Sequence, residues 1–542
     1  MTSEAFLLIS SYDALPPHRL HGFCFQDEDL ILGNAGYEKY IASRKRYIQP
    51  GQDGAYIVIC TLDGETVVGT DFSGYCKLFL YQRGERWALS NSFIELVRFV
   101  AGKDLPVTID EAHLSSFFIE GSFGDQLTSL RTSVKEIRLV PSTMEAVIAR
   151  TFFGTAVKLR MTSAVSNRTA YEDHKGAFRN YMEIWIGRMA TLLRSDLHMR
   201  ADLTGGRDSR AVLSLMLAAA RNIGDGVIRK VNFTSNKTSK SDFAIARGIA
   251  EKYHLRFMDK GKDPRMPVRR GTAEAYEQWK SLCLGVYGPI YFPVTRPVPT
   301  AVQFGGAGGE GHRRFYPDMA PGKFIRAHRI FIPSSTHFRK LKRDILEDLS
   351  MLCGGAEASV DPLIVHYRHF RDRCHGGRAP QYGNLLSPLS GAALRQASSM
   401  YPSDQIDRSQ VLADILINAD RELAAMPYDD PGKSFDARHF SDVVDAGDAV
   451  LSARTDGHVF AGEVIPEEPG DFTKEGALHL LRDDFLKHYE QMRGAGFFPR
   501  YYLDRAKTTI EEAVLAGRFP HARSGGSISH VVLAGELSRL SR

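Results

Sequence analysis

Thr204-Gly205-Gly206-Arg207-Asp208-Ser209 has the residue types of a phosphate cradle. Two consecutive glycines let the backbone bend sharply and bring bare N–H groups close to an anion, while a helix beginning near Asp208 aims its partial positive end at the same point. Asp208 can cap that helix or hold a metal ion beside a phosphate, and the Ser209 hydroxyl adds a donor. A second turn, Gly305-Gly306-Ala307-Gly308-Gly309-Glu310, repeats the pattern directly after the apolar run Ala301 to Phe304. If both turns follow strands of one parallel sheet, they face each other across a cleft. Gly306 and Gly308 then stand beside the anion, and Asp208 and Glu310 share a magnesium ion between the phosphates. Arg207 and Arg210 carry guanidinium groups that match phosphate oxygens in pairs.

The elements around these turns must alternate for that cleft to exist. After Met161 they do: a long amphipathic helix from Tyr171 to Leu193 leads to a strand over His198 to Leu203 and a helix over Arg210 to Ala220. A strand over Val227 to Phe233, a helix over Ser241 to Tyr253 and a strand over Arg256 to Met258 follow. This order predicts a parallel sheet covered by helices, with ligands at the carboxyl ends of its strands. Residues 272 to 286 read as a helix, and the chain beyond residue 325 as mostly helical, with a Gly/Pro-rich loop from Gly376 to Pro388. Ala522 to Gly526 reads as a mobile segment before a last short helix.

Before Met161 the pattern differs. Short strands are expected at Ala5 to Ser10, Gly54 to Thr61, Thr66 to Thr70, Lys77 to Tyr81, Ile137 to Val140 and Ala146 to Leu159. Asp63-Gly64 and Arg83-Gly84 supply hairpin turns, and Phe93 to Ala101 and Ile109 to Phe118 supply helices. The chain is therefore read as α/β, an α+β sandwich over 1–161 followed by a parallel-sheet domain with a helical carboxyl-terminal part over 162–542.

Composition narrows the classes. With 69 basic and 64 acidic residues in 542, a formal charge of +5 gives no reason to expect nucleic acid or an anionic membrane as a partner. No apolar run approaches membrane-spanning length and no secretory signal is visible, so the expected location is the cytoplasm. The six cysteines are scattered, without the close pairs that zinc or a dithiol site needs.

Leu203 to Ser209 resembles the pyrophosphatase loop of the asparagine synthetase group, in which a Ser-Gly-Gly-X-Asp-Ser sequence binds the pyrophosphate part of ATP. Phe304 to Glu310 resembles that group's later Gly-rich loop, whose acidic last residue helps to bind magnesium pyrophosphate; Glu310 replaces the usual Asp. Looser likenesses cover most of the chain. Asp71-Phe72-Ser73-Gly74 with Lys77 to Tyr81, Ser90 to Ser92, and Ile137 to Ser142 are similar to parts of the group's glutaminase-type domain. Ser387-Pro388-Leu389 is similar to its Pro-Phe-Leu segment. Met426-Pro427-Tyr428 with Gly432-Lys433 looks like the place of its catalytic lysine. Gly432-Lys433-Ser434 is no Walker A ending, since Pro427 stands where the first glycine belongs.

The resemblance implies an Ntn-hydrolase-like first domain and an ATP pyrophosphatase domain. Thr204, Gly205, Gly206, Arg207, Asp208, Ser209, Gly306 and Gly308 would bind ATP, Asp208 and Glu310 the magnesium ion, and Lys433 would act on the transition state. Where glutamine-hydrolysing members begin Met-Cys-Gly, this chain reads Met1-Thr2-Ser3. Thr2 is the one substitute nucleophile at hand, but without the neighbouring glycine the first domain is expected to be inactive. The expected reaction is ATP-dependent amide formation through an acyl-adenylate, between small-molecule or peptide carboxylate and amine substrates. Beta-lactam synthetases and lasso-peptide cyclases work in this way. Ala307 occupies the position of the beta-lactam synthetase tyrosine, which weakens that particular likeness. Tyr287, Tyr291 and Tyr316 flank the expected cleft. Ammonia-dependent amidation of a small acid or sugar uronate, and an inactive nucleotide-binding protein, stay as alternatives, and a homodimer is left open.

Overall fold

Apolar side chains at every second position need two different surroundings, one for each face of a strand. The computed structural model describes residues 7–541 except 15–17, 63, 152–153, 167–170, 172, 260–268, 355–356, 381–382, 450–452 and 465–467. Thr2 lies outside them. Among the described residues of the first 161, ten strands form: β1 (Leu8–Ser10), β2 (Arg19–Gln26), β3 (Asp29–Leu32), β4 (Gly54–Leu62), β5 (Glu65–Thr70), β6 (Phe79–Arg83), β7 (Arg86–Ser90), β8 (Ile137–Leu139), β9 (Met144–Thr151) and β10 (Gly154–Met161). They build a four-stranded sheet ordered β1-β7-β6-β8 and most of a seven-stranded one ordered β10-β9-β5-β4-β2-β3. Phe23, Phe25, Ile57 and Ile59 share a core with Leu80 and Leu89 of the other sheet. Their alternates Cys24, Tyr56 and Val58 pack on Tyr37 and Tyr40 of the helix Gly33–Arg44. Phe79, Tyr81 and Ala88 pack on the helix Phe93–Gly102. The layers run helix, sheet, sheet, helix.

The hairpin glycines stand where the turns need them, Gly64 at φ +81 and Gly84 at φ +58. The expected strand Ala146 to Leu159 is instead the hairpin β9–β10, with Gly154 opposite Thr151. Strands β2 and β3 and the helix after them had no counterpart in the periodicity. Gly22, at φ +94, interrupts the alternation of β2 because a Cβ there would lie 2.1 Å from the Ala55 carbonyl oxygen.

The second half supplies β11 (His198–Asp202), β12 (Val231–Ser235), β13 (Arg256–Asp259), β14 (Ala301–Phe304) and β15 (Leu385–Leu386), all parallel, ordered β13-β12-β11-β14-β15. From β11 the chain adds strands on one side, then returns to add β14 and β15 on the other. The carboxyl ends of β11 and β14 are therefore the switch point of the sheet, where a crevice opens. Helices His174–Arg194 and Arg207–Ile223 pack on one another beside the sheet.

Three expectations change here. The strand expected from Val227 starts only at Val231, after a 3-10 turn over Asp225–Lys230. The Gly376 to Pro388 loop contains the edge strand β15. Ala522 to Gly526 belongs to the helix Ala522–Leu540, whose buried Ile528, Val531, Val532 and Leu537 anchor it against the helices Lys474–Ala495 and Arg500–Ala516 and override two glycines. Finally, β16 (Val459–Ala461) pairs in parallel with β3 and completes the first half's larger sheet. The core is continuous across residue 162, joining Leu30 and Trp87 to Trp185 and Leu213. Among the described residues no helix is long and apolar enough to cross a membrane.

Candidate functional site

The first glycine loop is shaped by its own side chains. The Ser209 hydroxyl accepts from the Thr204 N–H at 3.1 Å, and Thr204 Oγ1 accepts from the Gly206 N–H at 3.1 Å. Gly205 donates its N–H to Asp242 at 3.0 Å. The 17-residue helix Arg207–Ile223 then starts from Gly206 with no side-chain cap. Its first-turn N–H groups remain a concentrated donor set of the kind anions use.

The second loop fits against the first. Gly308 takes φ +86, and a Cβ there would lie 2.7 Å from the Leu389 carbonyl oxygen. A Cβ on Gly306 would lie 2.7 Å from Asp208 Cβ, and one on Gly309 would lie 2.1 Å from Asp208 Oδ1. Only bare backbone allows this approach. The Ser387-Pro388-Leu389 segment backs the loop: Ser387 Oγ donates to the Ala307 carbonyl, and the Leu389 carbonyl lies 2.8 Å from His312 Nε2.

Asp208 Oδ1 is buried without a hydrogen-bond partner. Its other oxygen lies 3.7 Å from Arg313 Nη2, which also reaches Glu310 Oε1 at 3.2 Å. One guanidinium thus spans the two carboxylates that a shared cation would join. Burial pushes the Asp208 carboxyl upward, Arg313 opposes that shift, and Glu310 adds to it. An unpartnered oxygen, two facing carboxylates and an all-oxygen donor set fit magnesium.

These groups open into a cavity of about 770 Å³. Thr204, Asp208, Ser209, Gly306, Gly308 and Glu310 line it. Arg207 turns elsewhere: its Nε donates to the Lys433 carbonyl at 2.7 Å and its guanidinium lies 4.9 Å from the Phe435 ring. Lys433 is held by Asp429, Nζ to Oδ2 at 2.6 Å, at the edge of the site, where its charge still lowers the Asp208 carboxyl. Arg210 is fully buried and donates to the Met426 and Pro427 carbonyls. Tyr291 lines the cavity, whereas Tyr316 packs in a separate core with Phe123 and Phe324.

Two groups had no sequence signal. A π-helical turn, Tyr367–Asp372, places both its end residues on the cavity wall. Such wide turns concentrate at functional sites. Tyr367 donates to Glu310 Oε2 at 2.7 Å, and Tyr75 donates to Asp372 at 3.2 Å. Burial pushes the Asp372 carboxyl up to about 6, with Arg395 opposing. Nothing in the run His366 to His375 marks these two, because helical periodicity at 3.6 residues puts positions five apart on different faces.

Of the six cysteines five are buried and Cys353 is partly exposed. Burial raises every one of these thiols, Cys353 to about 11. Among the described residues no thiolate nucleophile is available.

These features define a mixed α/β protein whose cleft lies at the switch point of a parallel sheet. No protein-family model and no curated protein sequence matches the chain.

Proposed function

We propose that the chain is an ATP-dependent ligase that adenylates a substrate carboxylate, releases pyrophosphate and passes the acyl group to an amine. The observation that carries this reading is the close approach of the two glycine loops, with Asp208 and Glu310 facing one gap at the switch point. In this reading the four-layer first part is an inactive glutaminase-like module, and the parallel sheet belongs to an ATP pyrophosphatase module in a cytoplasmic enzyme.

Carboxylates are poor acyl donors until given a good leaving group. The first-turn N–H groups and the Ser209 hydroxyl receive the charge that develops on departing pyrophosphate. Asp208 and Glu310 would hold magnesium, which would supply charge neutralisation at the phosphates. Arg313, which spans the two carboxylates, would add positive charge beside them. Lys433, steadied by Asp429 and by the Arg207 contact to its carbonyl, contributes positive charge at the rim. Asp372 suits the proton transfer, since a carboxyl near 6 is well matched to take a proton from an incoming ammonium. In this reading the nitrogen comes from a substrate amine or free ammonium rather than from glutamine, since five of the six thiols are buried and burial raises the sixth, Cys353, to about 11.

The test is carboxylate-dependent release of pyrophosphate from ATP. Asp208→Ala should lower the rate by at least about a hundredfold, the usual scale for a lost electrostatic group. Full retention would sink the assignment. Supplying ammonium or primary amines in the same assay separates the two nitrogen sources.

A further inference from the structure

A second buried cluster of charge joins three helices, and none of its members lines the switch-point cavity. Asp484 and His488 stand four residues apart on the helix Lys474–Ala495, a spacing that puts both on one face. Glu536 comes from the helix Ala522–Leu540 and Lys280 from the helix Thr272–Cys283, both packed against the first. Tyr276 donates its hydroxyl to Asp484 Oδ2 at 2.8 Å. Lys280 Nζ donates to the same oxygen at 2.7 Å and to Glu536 Oε1 at 3.1 Å. Arg539 donates to Glu536 Oε2 at 2.6 Å, while Arg98 lies 3.5 Å from Oε1 and pairs more closely with Glu95 at 2.7 Å.

His488 is the member left over. Its side chain is 2% exposed, and Nε2 is buried without a hydrogen-bond partner. The bare backbone of Gly535 packs against the ring, so closely that a Cβ there would lie 2.2 Å from Nδ1, and this holds the ring in place. Nε2 is thereby aimed at Asp484 Oδ1, 3.5 Å away, and at Glu536 Oε1, 4.0 Å away. A buried polar atom with no partner carries a desolvation cost that a bound ligand would offset. A tetrahedral ion with bonds of about 2.0–2.2 Å holds its ligand atoms about 3.3–3.6 Å apart, close to the spacing these atoms already have. One imidazole with two carboxylates suits zinc and its first-row neighbours, whereas magnesium and calcium take oxygen donors.

We propose that Asp484, His488 and Glu536 form a binding site for a divalent transition-metal ion of the zinc class. The Lys280 ammonium stands in for part of the ion's charge until the ion arrives. Metal entry displaces Lys280 from Glu536 Oε1, and the bound ion ties the helix Lys474–Ala495 to the helix Ala522–Leu540. The site is separate from the magnesium assigned to Asp208 and Glu310, and it does not depend on the ligase reading.

The experiment strips the full-length chain with a chelator and titrates it with Zn2+ while following its melting temperature; a parallel titration with Co2+ records the absorption spectrum. Wild type should take up one Zn2+ at this site with a rise in melting temperature that Mg2+ does not produce. His488→Gln and Glu536→Gln should each weaken that uptake at least about tenfold. Lys280→Leu should tighten it, because the competing cation is gone, and Asp208→Ala should leave it unchanged. Bound Co2+ should show ligand-field bands without a thiolate charge-transfer band. Absence of stabilisation by Zn2+ in wild type overturns the proposal, as does uptake that either glutamine variant retains. Binding no tighter in Lys280→Leu also overturns it. A thiolate band would give the ion to the cysteines, and loss of uptake in Asp208→Ala would give it to the glycine loops; either result overturns the site. If the glutamine variants do not fold, the wild-type spectrum and Lys280→Leu still decide.

Discussion

Asp208 has almost no room to move. Gly309 passes so close that a Cβ there would lie 2.1 Å from Oδ1, and the Gly306 backbone closes the other side. Gly309→Ala is therefore expected to destabilise the fold by about 1–3 kcal/mol through overpacking, and to impair pyrophosphate release, because the carboxylate must shift to admit the methyl group. Gly226 provides the control, since nothing lies within 4 Å of its would-be Cβ. Gly226→Ala should stay within about 0.5 kcal/mol of wild type in urea unfolding. At this scale the chemistry was legible where glycines and acids cluster in sequence. The two loops and Asp208 and Glu310 announce themselves by type and spacing. Tyr367 meets Glu310 from 57 residues away, so it leaves no local mark.

Elements do the positioning. The helix Arg207–Ile223 starts the anion loop and also grips the Met426 to Lys433 segment, through Arg207 on the Gly432 and Lys433 carbonyls and Arg210 on those of Met426 and Pro427. Tyr428 adds a ring 3.7 Å from the Arg210 guanidinium. Arg210→Met keeps most of the stem but leaves two carbonyls unpaired, which should cost about 1–3 kcal/mol. Amide hydrogen exchange between residues 426 and 433 should quicken, with slower pyrophosphate release, and Arg210→Lys should not rescue, because an ammonium cannot span both carbonyls. Unchanged exchange would remove Arg210 from any positioning role. Strands and helices of strong periodicity, such as β14 and His174–Arg194, were readable in advance. Short or interrupted ones, such as β2 with Gly22 and the two-residue β15, were not, because tertiary pairing rather than local pattern defines them.

For the whole molecule, pH dependence follows from buried carboxyls. Asp414 accepts from Tyr401 Oη at 2.6 Å and from Gln410 Nε2 at 2.7 Å, and burial still lifts it to about 7. A carboxyl raised above its unfolded value binds its proton more tightly in the native state. Its contribution is full below about pH 3.8 and is lost as pH rises toward 7. Asp414→Asn should flatten the fall in unfolding free energy between pH 4 and 7; an unchanged slope would assign the titration elsewhere. The switch from alternating to helical pattern near residue 162 was visible in the sequence, while the continuity of the core across it was not. The return of β16 to the first sheet was not visible either, since three residues with no periodicity of their own carry it.

That return has a consequence for synthesis. His458, at the head of β16, donates its N–H to Asp29 across 429 residues, and its carbonyl accepts from the Leu30 N–H. At ordinary elongation rates the open edge of β3 waits on the order of half a minute for its partner to leave the ribosome. An unpaired edge strand of buried Leu30, Ile31 and Leu32 is a template for association with other nascent chains. Yield on expression should thus be set by how well chaperones guard the amino-terminal sheet during translation, far from the residues that perform the chemistry.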